Sequence, residues 1–170
     1  KYQKKASNDL ESQFEMLKKL ELSQKDTILL KDYTESKGLE FMSTPYDEES
    51  LDFLISINVE RIKIGSGEIT DHPFLESVAK TNKPIILSTG ASTLKEVKSA
   101  VKLIQKWNKD LCLLHCTSTY PTTLSDVNLN VMKTLKEEFN LPIGYSDHTQ
   151  SLIVPSAAVA IGANIIEKHF

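Results

Sequence analysis

Six short apolar runs punctuate the chain, each ending in small or polar residues and followed by a stretch with helical spacing. They are Leu39–Thr44, Arg61–Ser66, Pro84–Thr89, Leu111–Thr117, Leu141–Ser146 and Asn164–His169. Their starts recur at intervals of 22 to 30 residues, the period of repeated strand–helix units. Ile85-Ile86-Leu87 and Cys112-Leu113-Leu114 show no polar alternation, which marks strands of a parallel sheet covered on both faces. The pattern predicts an α/β fold whose crossover helices bring every strand C-terminus to one face. In a (β/α)8 TIM barrel that face carries the active site.

The helical stretches have their own start and stop signals. Leu10, Phe14, Leu17 and Leu20 recur at helical spacing and predict an amphipathic helix. Ser23 with Asp26 predicts a capped second helix through Lys37, stopped by Gly38. Asp47 is the expected cap of the helix after the first run, the Asp71-His72-Pro73 turn starts the next, and Thr93 with Glu96 caps one running to Trp107. Asp126–Phe139 and Ser151–Ile161 supply the last two, with Pro155 near the first turn of the latter. No linker or low-complexity segment interrupts residues 1–170, which are expected to form one domain.

Composition narrows the partners. A net charge of −3 and a pI near 5.8 argue against a nucleic-acid or anionic-membrane surface. Lys1, Lys4, Lys5 and Lys18-Lys19 are expected on solvated faces. No apolar run approaches the roughly 20 residues of a spanning helix. Cys112 and Cys116 lie four residues apart on one predicted strand, about 13 Å and too far for a disulfide. Free buried cysteines fit a reducing cytoplasm. The chain opens at Lys1 without Met and closes at Phe170 inside a strand-end pattern, so both ends are expected to be cut.

The candidate chemistry sits at the predicted strand ends. Ser146-Asp147-His148-Thr149 closes one strand and Glu167-Lys168-His169 the next. Neighbouring strands lie about 4.8 Å apart, so two imidazoles at matched heights can face one cation. Two neutral imidazoles leave an incomplete shell open to water or substrate oxygens, as a Lewis-acid site requires. Strand parity puts Ser146 with His148, and Glu167 with His169. Lys63, inside the run Lys63-Ile-Gly-Ser-Gly-Glu68, must find an anion if it faces the interior. Ser66 and the flanking glycines suit a phosphate, provided a bulge at Gly65–Gly67 reconciles the opposite parity of Lys63 and Ser66. Thr44, Ser88 and Ser118 offer further hydroxyls, Glu68 a carboxylate able to take a proton or bind a sugar hydroxyl, and Tyr120 a contact from the loop after the fourth run. His115 and His72 are expected to be structural.

Taken together these segments resemble the sialic acid synthase family, enzymes that condense phosphoenolpyruvate with an N-acetylated aldose. The resemblance rests on Phe41-Met-Ser-Thr-Pro45, Lys63-Ile-Gly-Ser-Gly-Glu68, Ile86-Leu-Ser-Thr-Gly90, Leu114-His-Cys-Thr-Ser118 with Tyr120-Pro121, Asp126-Val-Asn-Leu129, Gly144-Tyr-Ser-Asp-His-Thr149 and Ile166-Glu-Lys-His-Phe170. It implies that the chain supplies strands 3–8 of a TIM barrel, as a partial synthase domain whose first two strands and small C-terminal antifreeze-like domain lie outside residues 1–170. His148 and His169 would bind a divalent ion, Mn²⁺ with Mg²⁺ or Co²⁺ as alternatives. Thr44, Lys63, Ser66, Ser88, Ser118 and Ser146 would hold phosphoenolpyruvate, while Glu68 and Tyr120 would face the sugar. Catalytic roles would then fall to Glu68, His148 and His169. The implied reaction joins C3 of phosphoenolpyruvate to an N-acetylmannosamine-like aldehyde, giving a nonulosonic acid and phosphate. Within the family the acetylneuraminate and legionaminate branch is the most similar, and the full-length enzyme is expected to be a cytoplasmic homodimer.

Ala91 stands where that family usually has methionine. Two alternatives stay open. One is another phosphoenolpyruvate–aldose synthase, whose metal would recruit a cysteine, for which Cys116 is placed. The other is a catalytically inactive piece serving as a structural or binding module.

Overall fold

The structure is a computed structural model that describes residues 13–169. Contacts divide the chain into two compact units, Lys1–Phe41 and Met42–Phe170. The first contains α1 (Gln13–Leu20) and α2 (Gln24–Ser36). Ser23 caps α2 by accepting from the Asp26 amide at 3.1 Å, as its sequence predicts. Lys31 and Glu35 pair one turn apart at 2.7 Å. Leu10, the expected start of the first helix, and Lys1, Lys4, Lys5 and Phe170 lie outside the described residues.

The second unit holds a parallel sheet of five strands in sequence order: β1 (Ile62–Ile64), β2 (Ile85–Ser88), β3 (Leu111–Cys116), β4 (Ile143–Asp147) and β5 (Ile166–Lys168). Helices α3 (Glu48–Ser56), α4 (His72–Lys80), α5 (Leu94–Ile104), α6 (Asn130–Phe139) and α7 (Ile153–Ala160) alternate with the strands. Asp47, Asp71 and Thr93 cap α3, α4 and α5, Thr93 with Glu96 in a full capping box.

The sheet is strongly curled. Laid flat, β1 and β5 would stand roughly 19 Å apart, four strand spacings. Yet Lys63 of β1 and Glu167 of β5 reach each other across the concave face, Nζ to Oε1 3.5 Å. Strands four places apart are diametrically opposed in an eight-stranded barrel, so this sheet is a half-barrel with Lys63 and Glu167 spanning its diameter.

Four sequence expectations are corrected. Leu39–Thr44 forms no strand, and the boundary between the two units falls inside it, after Phe41. An apolar run becomes a strand only when its backbone finds a ladder partner, and the sheet begins at Ile62. Helix α5 stops at Ile104, three residues short of Trp107. Helix α6 starts at Asn130, since Asp126 closes a separate 3₁₀ turn, Leu124–Asp126, whose Thr123 Oγ1 donates to the Asp126 carboxylate at 2.9 Å. No bulge forms at Gly65–Gly67: the chain leaves β1 into a 3₁₀ turn, Ser66–Thr70, which frees Ser66 from strand parity.

Two layers fill the inner face. Ile86, Cys112 and Leu114, with Ile165 against them, make an apolar floor. Gly144 lies opposite Leu114 in the β3–β4 register, where a Cβ would come within 2.5 Å of Leu114 Cδ2 and 2.6 Å of the Ile165 carbonyl oxygen. Above that floor, towards the strand ends, the inner residues turn polar.

Candidate active site

The upper layer is built by register. Cys116 pairs with Ser146, and Ser146 with Glu167, so three strand ends present side chains at one height. Ser88 closes β2 and Lys63 crosses from β1. With the loops above them these residues line a cavity of about 180 Å³. Its wall comprises Thr44, Tyr46, Lys63, Gly65, Ser66, Ser88, Cys116, Tyr120, Ser146, His148, Glu167 and His169.

Lys63 is buried and its ammonium is well partnered. It donates to Ser88 Oγ at 2.9 Å and to the Ile64 carbonyl at 3.2 Å, and pairs with Glu167. Desolvating an amine is costly without such partners, and they hold it in the cavity wall. Ser66 Oγ accepts from the Gly90 amide at 2.8 Å and lies 3.2 Å from Cys116 Sγ. Gly90 has no room for a side chain: a Cβ would run into Ser118 Oγ and come within 2.6 Å of Cys116 Sγ. The Ser66, Ser88 and Ser146 hydroxyls thus share the cavity wall with the Lys63 ammonium.

His148 has a fixed tautomer. Its Nδ1 lies 2.8 Å from the Thr117 carbonyl oxygen, which can only accept, so Nδ1 carries the proton. Nε2 keeps its lone pair and takes a hydrogen bond from Ser146 Oγ at 3.2 Å. A carbonyl-oriented imidazole with its other nitrogen turned into a cavity is the usual arrangement of a ligating histidine. The His169 ring stands edge-on with its centroid 5.4 Å away, and the Tyr120 ring lies 4.2 Å from His148 and 5.6 Å from His169. No group of three histidine, cysteine or acidic side chains suited to a metal occurs among the described residues. Two adjacent imidazoles make at most an incomplete first shell, and no closed structural metal site is present among the described residues.

Two expected residues stand outside the cavity wall. Glu68 lies behind Gly65, where its Oε2 is buried without a hydrogen-bond partner and sits 2.7 Å from the place a Cβ on Gly65 would take. Ser118 is exposed and borders Gly90. His115 faces away from the cavity, its Nε2 donating to the Val127 carbonyl at 2.8 Å and its ring packed on Tyr145; burial holds its pKa low despite that bond. His72 is exposed on α4. Neither lines the cavity. Tyr46, Gly65 and Glu167 line the cavity without having been assigned roles, and Cys116 had one only in the alternative synthase reading. For Glu167 the signal was its shared parity with His169; for Tyr46, in a loop after an unpaired run, there was none. The cysteines are free and buried, and the Cys116 thiol faces Ser66.

The NeuB family model matches residues 1–170. The chain belongs to the NeuB family. Among NeuB relatives, the N,N'-diacetyllegionaminic acid synthase of Legionella pneumophila is 51% identical over 99% of this chain and 49% of its own. The N-acetylneuraminate-9-phosphate synthase of Drosophila melanogaster is 39% identical over 89% of this chain and 41% of its own. A solved structure, the N-acetylneuraminic acid synthetase of Leptospira borgpetersenii in complex with citrate, superposes with a TM-score of 0.86 at 41% identity, over 88% of this chain and 53% of that one. The chain spans about half the length of the curated relatives it matches. No helix among the described residues is long and apolar enough to cross a membrane.

Proposed function

We propose that this chain carries most of the active site of a synthase that condenses phosphoenolpyruvate with an N-acetylated aldose. The observation that supports it is one cavity holding a buried lysine, four serine and threonine hydroxyls and two adjacent imidazoles, at the strand ends of a NeuB half-barrel. Five parallel strands in sequence order correspond in this reading to the last five of an eight-stranded barrel.

The anionic substrate would lie along Lys63, Ser66, Ser88, Ser146 and Thr44, with Ser118 and the Gly90 amide at its edge. Lys63 supplies the charge, and its bond to Ser88 orients both donors before substrate arrives, so little reorganisation is left to the reaction. Glu68, whose Oε2 is buried and unpartnered behind Gly65, would meet the sugar only past that glycine, and Tyr120 would cover the aldehyde end. His148 and His169 would hold a divalent ion, Mn²⁺ with Mg²⁺ or Co²⁺ as alternatives. Such an ion, when bound, acts as a Lewis acid towards an oxygen that gains negative charge. In the overall change C3 of phosphoenolpyruvate bonds to the aldehyde carbon and the aldehyde oxygen takes a proton. Water adds at C2, and the C2–O bond to phosphate breaks, leaving a 2-keto sugar acid and phosphate.

The names of two relatives, an N,N'-diacetyllegionaminic acid synthase and an N-acetylneuraminate-9-phosphate synthase, support an N-acetylated sugar as the acceptor. The test uses Lys63→Met in the full-length protein. Its KM for phosphoenolpyruvate should rise about tenfold or more, while KM for the sugar stays within about threefold. Equal effects on both would make Lys63 a structural residue and remove the main support for this reading.

A further inference from the structure

The tips of β4 and β5 carry a second feature on the face turned away from the cavity. Asp147 and Lys168 are direct register partners, and each is the last paired residue of its strand. His148 and His169 come one residue later, where the ladder has ended. The two histidines are therefore not themselves register partners, and a side-chain link between the strand tips bears on their relative height.

The ion pair supplies that link. Lys168 Nζ donates to Asp147 Oδ2 at 2.6 Å and to the Thr149 carbonyl at 2.8 Å, clasping β4 on both sides of His148. The Thr149 amide donates to Asp147 Oδ1 at 2.9 Å. The Asp147 side chain is fully enclosed, whereas that of Lys168 keeps 31% of its surface. A lysine with access to water that instead folds back onto a buried carboxylate is held by it. The enclosed carboxylate in turn has its charge compensated only while Lys168 stays. Asp147 and Thr149 are thus both anchored from β5, and His148 lies between them.

We propose that Asp147 and Lys168 are positioning residues that hold His148 and His169 at a common height for cation binding, without touching the cation. This rests on the reading of the two histidines as ligands of a divalent ion. The separation of the two failures is built into the test.

Full-length protein is titrated with Mn²⁺ by calorimetry, and its histidine ring resonances are recorded metal-free. The variants are Lys168→Met, Lys168→Arg and the double change Asp147→Asn with Lys168→Met, which leaves no unpaired buried charge and so keeps the fold. Lys168→Met and the double variant should bind Mn²⁺ about tenfold more weakly, and Lys168→Arg within about threefold of the parent. In a His169→Ala background, Lys168→Met should add no further loss, because the height it fixes no longer matters. Metal-free, the His148 and His169 ring resonances should move in the double variant. A folded double variant binding within about twofold of the parent, or full additivity in the His169→Ala background, overturns the proposal. If the parent binds no Mn²⁺, the metal reading fails instead, and the ring resonances decide alone: moved, they support positioning; unmoved, they overturn it.

Discussion

Lys63 shows how one residue can be held by the fold and, in the proposed reading, also bind substrate. Inside a half-barrel an ammonium needs partners, and Glu167 with Ser88 provides them at 3.5 and 2.9 Å. The same needs make it a ready donor to an incoming anion. The two cysteines make a contrasting pair at this scale. Cys116 lies in the cavity wall beside Ser66, whereas Cys112 sits in the apolar floor. Burial, reinforced by the nearby Asp110 charge, pushes the Cys112 thiol up to about 11 from 9.0. Burial and then the charge of Asp147 move Tyr145 from 10.0 to about 12. In both cases the folded chain keeps a proton that the unfolded chain loses first, so stability is full below about pH 9 and falls as pH rises from 9 to 12. Melting temperatures should drop across that window, and the drop should be smaller in Cys112→Ala between pH 9 and 11. A melting temperature independent of pH there would contradict the burial of these groups.

At the scale of elements, the caps and the strand cores were legible because they are local. Ser23, Asp47, Asp71 and Thr93 each act through the amide three residues on, a relation visible in sequence. The histidine pair was legible too, since a period of two and matched strand ends require no knowledge of packing. Leu39–Thr44 was not, because whether an apolar run becomes a strand depends on a partner elsewhere. Nor was the Lys63–Glu167 pair, which exists only because the sheet curls. Gly144 tests the layer beneath the site. With 2.5 Å to Leu114 Cδ2 and 2.6 Å to the Ile165 backbone, Gly144→Ala meets one side chain able to give and one backbone atom that is not. It should cost about 1–3 kcal/mol, read as a lower midpoint in urea unfolding. An unchanged midpoint would mean the floor of the half-barrel is looser than its packing shows.

For the whole molecule the decisive fact is the open sheet. β1 pairs only with β2, and β5 only with β4, so each leaves one row of backbone donors and acceptors without a strand among the described residues. α7 and its two flanking cap residues add Leu152, Ile153, Val159 and Ile161 as exposed apolar side chains. Unpaired edges beside apolar surface recruit other chains. A 170-residue polypeptide made alone should therefore be oligomeric or aggregate, and should lack synthase activity. Light scattering that shows a stable, active monomer would contradict the half-barrel reading.

The central claim is that the cavity joins a phosphoenolpyruvate carbon to an N-acetylated aldose. Its most direct measurement is mass spectrometry on full-length protein given phosphoenolpyruvate with a heavy oxygen at the bridging C2–O position, together with N-acetylmannosamine or a diacetylated relative and Mn²⁺. The account predicts that phosphate appears only when the sugar is present, carries the heavy oxygen, and matches the sugar acid mole for mole. Phosphate released without the sugar, or heavy oxygen retained at C2 of the product, would contradict it.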